Sequence, residues 1–131
     1  MNSLEAIIEK SKHLTLLYVE DNKDVVDASI SVFEEFFSKI FVARNGADAL
    51  EIFQTQSIDL LITDVNMPVM NGLELIKNIQ KVSNIPIWIF SAHDSSDEFI
   101  RKNNLSIDTY LTKPISIDLF LNALDALPLR S

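Results

Sequence analysis

Cysteine is absent from this 131-residue chain, which excludes disulfide bonds, thiolate zinc sites and thiol nucleophiles. No apolar run approaches membrane-spanning length, and residues 1–13 lack the basic start and apolar run of a signal peptide. We therefore expect a cytoplasmic protein with no membrane association. Glycine is scarce as well, and its two residues occur in Asn45-Gly46 and Asn71-Gly72, pairs that are typical of turns.

Basic residues are outnumbered, with 11 lysines and arginines against 19 aspartates and glutamates and a formal net charge of -8. Because affinity for a phosphate backbone comes from lysine and arginine displacing counterions, direct nucleic-acid binding is disfavoured. Hydrophobic residues at 47% and charged residues at 23% are ordinary globular proportions, and 131 residues suit one domain with a sizeable core. Acidic pockets suit divalent metals and basic protein partners.

Apolar runs alternate with amphipathic segments along the chain, which predicts alternating strands and helices. After a short amphipathic helix in residues 1–12, strands are predicted at residues 14–19, 39–43, 58–64, 85–90 and 107–112. Helices are predicted over residues 22–37, after Gly46, over residues 73–82, over residues 96–103 and over residues 116–127, with Asp21 or Asn22 and Ser116 as caps. This alternation predicts a small doubly wound α/β fold, in which helices cover both faces of a parallel sheet.

Polar side chains follow four of the five predicted strands. Glu20 and Asp21 end the first, Asp64 the third, Ser91 the fourth and Lys113 the fifth. In a doubly wound sheet, ligands bind at the carboxyl ends of the strands, so these side chains are predicted to meet there. Three adjacent carboxylates repel one another unless a cation neutralises them, and Mg²⁺ takes carboxylates, water and a phosphate as ligands.

The chemistry that such a site suits is phosphoryl transfer. Asp64 can be a covalent acceptor because a carboxylate attacks without prior deprotonation, while the Ser91 hydroxyl and the Lys113 ammonium suit phosphoryl oxygens. Each residue alone has a simpler explanation, with Glu20 and Asp21 as a helix cap and its solvated neighbour, and Asp64 as a turn residue. Their conjunction at one edge of the sheet favours the site.

Four motifs resemble those of the receiver domains of two-component response regulators, the CheY-like family. They are the acidic pair in Tyr18-Val19-Glu20-Asp21, the phosphorylation loop Asp64-Val65-Asn66-Met67-Pro68 with Gly72, the hydroxyl in Phe90-Ser91-Ala92 and the lysine in Tyr110-Leu111-Thr112-Lys113-Pro114. The resemblance covers residues 14–127, leaving residues 1–13 as a helical extension and residues 128–131 as a tail. It implies a flavodoxin-like (βα)5 sandwich with strand order 2-1-3-4-5.

The resemblance also implies a role for each site residue. Asp64 would accept a phosphoryl group from a histidine of a sensor kinase or phosphotransfer protein, in a reaction that the domain itself catalyses. Asp21 and Asp64 would hold Mg²⁺ directly, Glu20 through water and Asn66 through its backbone carbonyl. Lys113 would pair with the phosphate, and the peptide bond that follows it would be cis.

Two residues would report the phosphorylated state. Ser91 would move to hydrogen-bond the phosphoryl group, and Tyr110 would swing inward behind it. His93 and Asn66 occupy positions that tune dephosphorylation in this family. We hypothesise that His93 makes the lifetime of the phosphoprotein pH-sensitive, although a surface imidazole is the plainer interpretation, and an unchanged decay rate in His93→Ala would contradict the hypothesis.

The last predicted helix has more apolar surface than one core-facing stripe needs, because its apolar residues spread over about 220° of the helix circumference. Ile117 and Leu121 are the surplus, and they predict a homodimer contact or a partner surface. Contact with the helix predicted over residues 22–37 or with the amino-terminal extension explains this surplus nearly as well.

Two other functions stay open. One is an Mg-dependent phosphatase that acts through an aspartyl-phosphate, as haloacid-dehalogenase-like enzymes do; against it, position 66 is an asparagine rather than a second acid, and no cap domain is present. The other is an interaction scaffold that is never phosphorylated, which the presence of every site residue opposes. No effector domain follows Leu127, so we expect either a module that acts alone by docking or the amino-terminal piece of a longer regulator.

Overall fold

The computed structural model describes residues 3–92 and 105–127, and these residues form five helices and five strands. In chain order the elements are α1 (Leu4–Ser11), β1 (Thr15–Val19), α2 (Lys23–Phe33), β2 (Lys39–Ala43), α3 (Gly46–Thr55), β3 (Leu60–Thr63), α4 (Gly72–Gln80), β4 (Ile87–Ser91), β5 (Thr109–Thr112) and α5 (Ile117–Ala126). His93, the helix predicted over residues 96–103 and the tail predicted at residues 128–131 lie outside the described residues.

The strands form one parallel sheet in the order β2-β1-β3-β4-β5, which confirms the predicted fold class. Val19 on β1 is the register partner of Thr63 on β3, and the Asp64 amide donates to the Val19 carbonyl at 3.0 Å. The residues that follow these two strands, Glu20 and Asp64, therefore leave the sheet side by side at its carboxyl edge.

Helices cover both faces of the sheet, and the two cores differ in character. The core beneath α1, α2 and α5 is rich in aromatic rings, and the ring centroid of Phe120 lies 5.4 Å from that of Phe33 and 6.0 Å from that of Trp88. The core beneath α3 and α4 is mainly aliphatic, with members such as Leu17, Leu61, Leu75, Ile76 and Ile89. Because both faces are covered, every residue of β3 and β4 is buried, as expected for central parallel strands.

Each described helix begins at a polar residue whose side chain accepts a backbone N–H group. Ser3, Asn22, Asn45, Asn71 and Ser116 fill these positions. Asn22 rather than Asp21 caps α2, and the predicted cap at Ser116 is confirmed. In both Asn-Gly pairs the asparagine caps a helix and the glycine is its first residue, and neither glycine has a positive φ.

The end of α2 differs from the prediction, because the helix stops at Phe33 rather than near Phe37. The amides of Phe36 and Phe37 both donate to the Phe33 carbonyl at 3.0 Å, so the chain turns there. The Ser11 hydroxyl donates to the Phe36 carbonyl at 2.6 Å and fixes this turn from α1. Phe36 and Phe37 are nevertheless buried, so the predicted apolar stripe was right while the predicted helix end was wrong.

The amino-terminal helix α1 packs against α5. Ile7 is buried in the aromatic core, and the Lys10 ammonium donates to the Asp125 carbonyl at 3.0 Å. On α5, Leu121 is half-buried against the same core, whereas Ile117 is 46% and Leu119 51% exposed. Ordinary core packing therefore accounts for Leu121, and the exposed large apolar residues of α5 are Ile117 and Leu119. Among the described residues, no helix is both long and apolar enough to cross a membrane.

Candidate functional site

Three carboxylates meet at the carboxyl edge of the sheet. Glu20 and Asp21 follow β1 and Asp64 follows β3, and one oxygen from each lies within 4.8 Å of the other two. Glu20 is 1% exposed and Asp64 is 8% exposed, whereas Asp21 faces solvent. The structure thus brings together the three acids that the sequence placed at strand ends.

Lys113, directly after β5, joins two of these carboxylates. Its ammonium nitrogen contacts Glu20 Oε1 and lies 3.0 Å from Asp64 Oδ2. Burial lowers the pKa of Lys113, but hydrogen bonds to Glu20 and Asp64 outweigh burial, so the pKa lies above its ordinary value. Burial also raises the pKa of Glu20, and the hydrogen bond from Lys113 opposes that rise. Lys113 is therefore charged at neutral pH, and its ammonium group forms ion pairs with the buried carboxylates of Glu20 and Asp64.

The Asp64 carboxylate is held in one orientation from two sides. Its Oδ1 accepts a hydrogen bond from the Val65 amide at 2.7 Å, while its Oδ2 accepts one from Lys113. The Gly72 amide donates to the Val65 carbonyl at 2.8 Å, and a Cβ at position 72 would lie 2.0 Å from the Asp64 carbonyl oxygen. Glycine is thus required at position 72 for close packing against the backbone of Asp64.

The remaining predicted site residues lie around this centre. Ser91 ends β4 and is 6% exposed, and its carbonyl accepts a hydrogen bond from the Lys113 amide at 3.0 Å. Tyr110 on β5 is 41% exposed, and Asn66 is exposed in the loop that follows Asp64. The peptide bond between Lys113 and Pro114 is cis, as the resemblance implied.

The donor set fits a hard divalent cation. Carboxylate and carbonyl oxygens are the ligands that Mg²⁺ prefers in proteins. Lys113 offers one positive charge against the three carboxylates, so the cluster keeps a net negative charge that favours a cation. Glu20, Asp21 and Asp64 could hold such an ion, with the Asn66 backbone carbonyl as the further predicted ligand.

Sequence reasoning missed Arg44, which follows β2. Its guanidinium donates to the Asp21 carbonyl at 2.6 Å and so fixes the backbone of one member of the acidic cluster. A signal was available, because Arg44 is the polar residue at the end of the one strand that the strand-end pattern left out. Gly46 was also missed as a neighbour of the site, because its contact is with residue 70 and no local pattern reveals it.

The family model for the response regulator receiver domain matches residues 16–125. This match covers most of the chain and includes both acidic strand ends and the lysine that joins them. The chain belongs to the response regulator receiver domain family. Receiver domains generally use Mg²⁺ and interact with histidine kinases or phosphotransfer proteins, and the acidic cluster of this receiver domain could bind a metal.

Curated relatives of this receiver domain include regulators from Escherichia coli. The transcriptional regulatory protein GlrR is 30% identical over 112 residues, which are 84% of this chain and 25% of that protein. The aerobic respiration control protein ArcA is 30% identical over 101 residues, or 77% of this chain and 42% of that protein. Across such relatives this chain spans between 19% and 47% of their length.

Solved structures of similar proteins share the fold. The receiver domain of the Francisella response regulator 1452 is 32% identical with a TM-score of 0.73, and the match covers 86% of this chain and 93% of that one. The chemotaxis response regulator CheY4 of Vibrio cholerae is 26% identical with a TM-score of 0.73, covering 86% and 96% of the two chains.

Proposed function

We propose that Asp64 of this receiver domain accepts a phosphoryl group from the phosphohistidine of a sensor kinase or phosphotransfer protein, in a reaction that depends on Mg²⁺. The observation that supports this most is the placement of Lys113, whose ammonium contacts both Glu20 and Asp64 within the acidic cluster. Phosphoryl transfer needs positive charge at this position, because negative charge spreads over the three phosphoryl oxygens in the transition state.

The proposed transfer exchanges one bond to phosphorus for another. An Asp64 carboxylate oxygen attacks the phosphorus atom, the bond from phosphorus to the histidine nitrogen breaks, and its electron pair returns to the imidazole. The Val65 amide and the Lys113 ammonium hold the carboxylate for this attack. Bound Mg²⁺ would supply neutralisation of the phosphoryl charge. The Ser91 hydroxyl would donate a hydrogen bond to a phosphoryl oxygen.

Ser91 and Tyr110 are the proposed readout of phosphorylation. On β4 and β5 the register pairs Ile89 with Tyr110 and Ser91 with Thr112, so the hydroxyl and the phenol ring belong to neighbouring strands. Phosphorylation would draw Ser91 toward the phosphoryl group and Tyr110 from its exposed position toward the interior, which would change the outer face of β5.

We further propose that α5 forms the predicted homodimer contact. Ile117 and Leu119 are half exposed on a helix whose other large apolar residues are packed against the core. Their exposure supports a contact with a second copy, and the contact would depend on the phosphorylated state.

Removal of Mg²⁺ tests the proposed reaction. Incubation with acetyl phosphate and Mg²⁺ should add the mass of one phosphoryl group, and excess EDTA should abolish the gain. Asp21→Asn should slow the modification in Mg²⁺, because it removes a predicted ligand. Asp24→Asn is the matched control, because Asp24 is an exposed acid in the first turn of α2. Equal modification with and without Mg²⁺ would contradict the proposed metal dependence.

A further inference from the structure

Both glycines of this chain touch the β3–α4 loop, defined as residues 64–71, which carries Asp64 and the predicted Mg²⁺ ligand Asn66. We propose that Gly46, the first residue of α3, is a positioning residue that fixes this loop for cation binding. The inference rests on the proposed Mg²⁺ site. Gly46 belongs to none of the four motifs. In the chain it lies between β2 and β3, whereas the acidic cluster follows β1 and β3.

The contact between Gly46 and the loop is close and leaves no room for a side chain. The Gly46 amide donates to the Met70 carbonyl at 2.8 Å. A Cβ at position 46 would lie 2.4 Å from that carbonyl oxygen and 2.8 Å and 2.9 Å from the Met70 Cγ and Cβ atoms. Because no glycine has a positive φ, the requirement at position 46 is this contact rather than backbone freedom.

The loop needs such support because it contains a strained turn. Val69 has a φ of 68°, and the Met70 amide donates to the Pro68 carbonyl at 2.8 Å across it. A three-residue turn with a positive φ at its centre is rare and costly, especially for a β-branched residue. Val69 is 82% exposed, so packing of its own side chain does not hold the turn. The hydrogen bond from the Gly46 amide to the Met70 carbonyl lies next to Val69 and joins the turn to α3, so it can stabilise the strained conformation.

The loop is therefore fixed at two places that flank the predicted ligand. At one place the Gly72 amide holds the Val65 carbonyl, and at the other the Gly46 amide holds the Met70 carbonyl. Asn66 lies between Val65 and Met70, so the direction of its backbone carbonyl depends on both contacts. Groups that orient metal ligands change metal affinity when they are altered, even though they never touch the ion.

The test measures Mg²⁺ binding to the unphosphorylated protein by isothermal titration calorimetry. Gly46→Ala should raise the dissociation constant about tenfold, because the new Cβ must displace the Met70 carbonyl. The matched control is Ala49→Gly, which weakens α3 from a fully buried position that does not belong to the contact. The proposal predicts that this control loses unfolding stability but keeps the wild-type affinity for Mg²⁺.

A double variant separates positioning from stability. In Gly46→Ala with Val69→Gly, the loop can move away from the new Cβ without a strained residue, so the unfolding stability should recover. The dissociation constant for Mg²⁺ should stay raised, because the Met70 carbonyl is no longer held in place. If Gly46→Ala alone does not fold, the dissociation constant for Mg²⁺ is measured on the double variant instead.

Three results would overturn the proposal. Wild-type affinity in the folded Gly46→Ala protein or in the double variant would show that the contact does not position the ligands. An equal loss of affinity in Ala49→Gly would show a general effect of α3 stability. These two results leave the proposed function standing if the wild-type protein binds Mg²⁺. The third result is a wild-type protein that binds no Mg²⁺, which would contradict the proposed function and this inference together.

Discussion

β3 and β5 are both four-residue parallel strands that end at the candidate site, yet they differ sharply in burial. β3 lies at the centre of the sheet, and all four of its residues are buried. β5 lies at the edge, where Leu111 is its only buried residue and Tyr110 is 41% exposed. Asp64 follows the buried strand, and Lys113 follows the exposed one.

This difference separates the two tasks of the proposed switch. Phosphoryl transfer needs fixed geometry, and the end of the central strand supplies it. The Val65 amide and the Lys113 ammonium hold the Asp64 carboxylate, and the Asp64 amide donates to the Val19 carbonyl. A readout needs a group that can move at low cost, and an edge strand with few buried side chains supplies that. Lys113 connects the two regions, so a change at Asp64 can reach β5.

Truncation of one side chain on each strand should show the largest contrast. Leu61→Ala on β3 should lower the free energy of unfolding by about 4 kcal/mol, because Leu61 is fully buried. Tyr110→Ala on β5 should lower it by about 1 kcal/mol. Urea unfolding measures both values. Similar losses in the free energy of unfolding for the two variants would contradict the inferred difference between β3 and β5.

Removal of Lys113 should have the next largest effect, because it leaves two buried carboxylates without their cation. Lys113→Met should lower the free energy of unfolding by about 3 kcal/mol at neutral pH. Lys23→Met is the matched control, since Lys23 lies 3.0 Å from Asp27 in an ion pair that is exposed on both sides. That variant should lose about 0.5 kcal/mol or less.

The loss in Lys113→Met should depend on pH in a defined direction. Burial raises the pKa of Glu20, so the folded protein binds a proton at Glu20 more tightly than the unfolded chain does, and stability falls as pH rises from the ordinary pKa of Glu20 through the raised one. Removing Lys113 raises the pKa of Glu20 further. The difference in free energy of unfolding between wild type and Lys113→Met should therefore become smaller as pH falls from about 7 to about 5. A deficit that stays constant over this range would contradict the role given to Lys113.

Gly72→Ala should have an intermediate effect, because the new Cβ would lie 2.0 Å from the Asp64 carbonyl oxygen. We expect a loss of about 2 kcal/mol in the free energy of unfolding. Glu74→Ala, an exposed change in the first turn of the same helix, should stay within about 0.5 kcal/mol of wild type. Equal stability of the two variants would mean that the backbone of Asp64 is less firmly held than the structure indicates.

The smallest expected change in stability is at α5. Leu119→Glu should alter the free energy of unfolding by less than about 0.5 kcal/mol, because Leu119 is 51% exposed. Light scattering should nevertheless show a smaller particle for the phosphorylated variant than for the phosphorylated wild-type protein. Identical particle sizes for the two phosphorylated proteins would contradict the proposed homodimer contact. This variant is cleaner than Leu121→Glu, because Leu121 is half-buried against the core.

The sheet and the acidic edge could be predicted because their signals are local. A buried parallel strand is a continuous apolar run, and the polar residue that ends it marks the carboxyl edge, as at Asp64 after β3. The end of α2 could not be predicted, because a hydrogen bond from Ser11 to Phe36 fixes the turn there. The same limit hid the contact between Gly46 and Met70, which joins residues that only tertiary packing brings together.

The most direct test of the account is intact-mass measurement after incubation with acetyl phosphate and Mg²⁺. We expect the wild-type protein to gain the mass of one phosphoryl group and Asp64→Asn to gain none. A Ser91→Ala variant should still be modified, since its hydroxyl assists the reaction without forming the bond to phosphorus. A wild-type protein that gains no mass, or an Asp64→Asn protein that gains as much as wild type, would contradict the central claim that Asp64 is the phosphoryl acceptor.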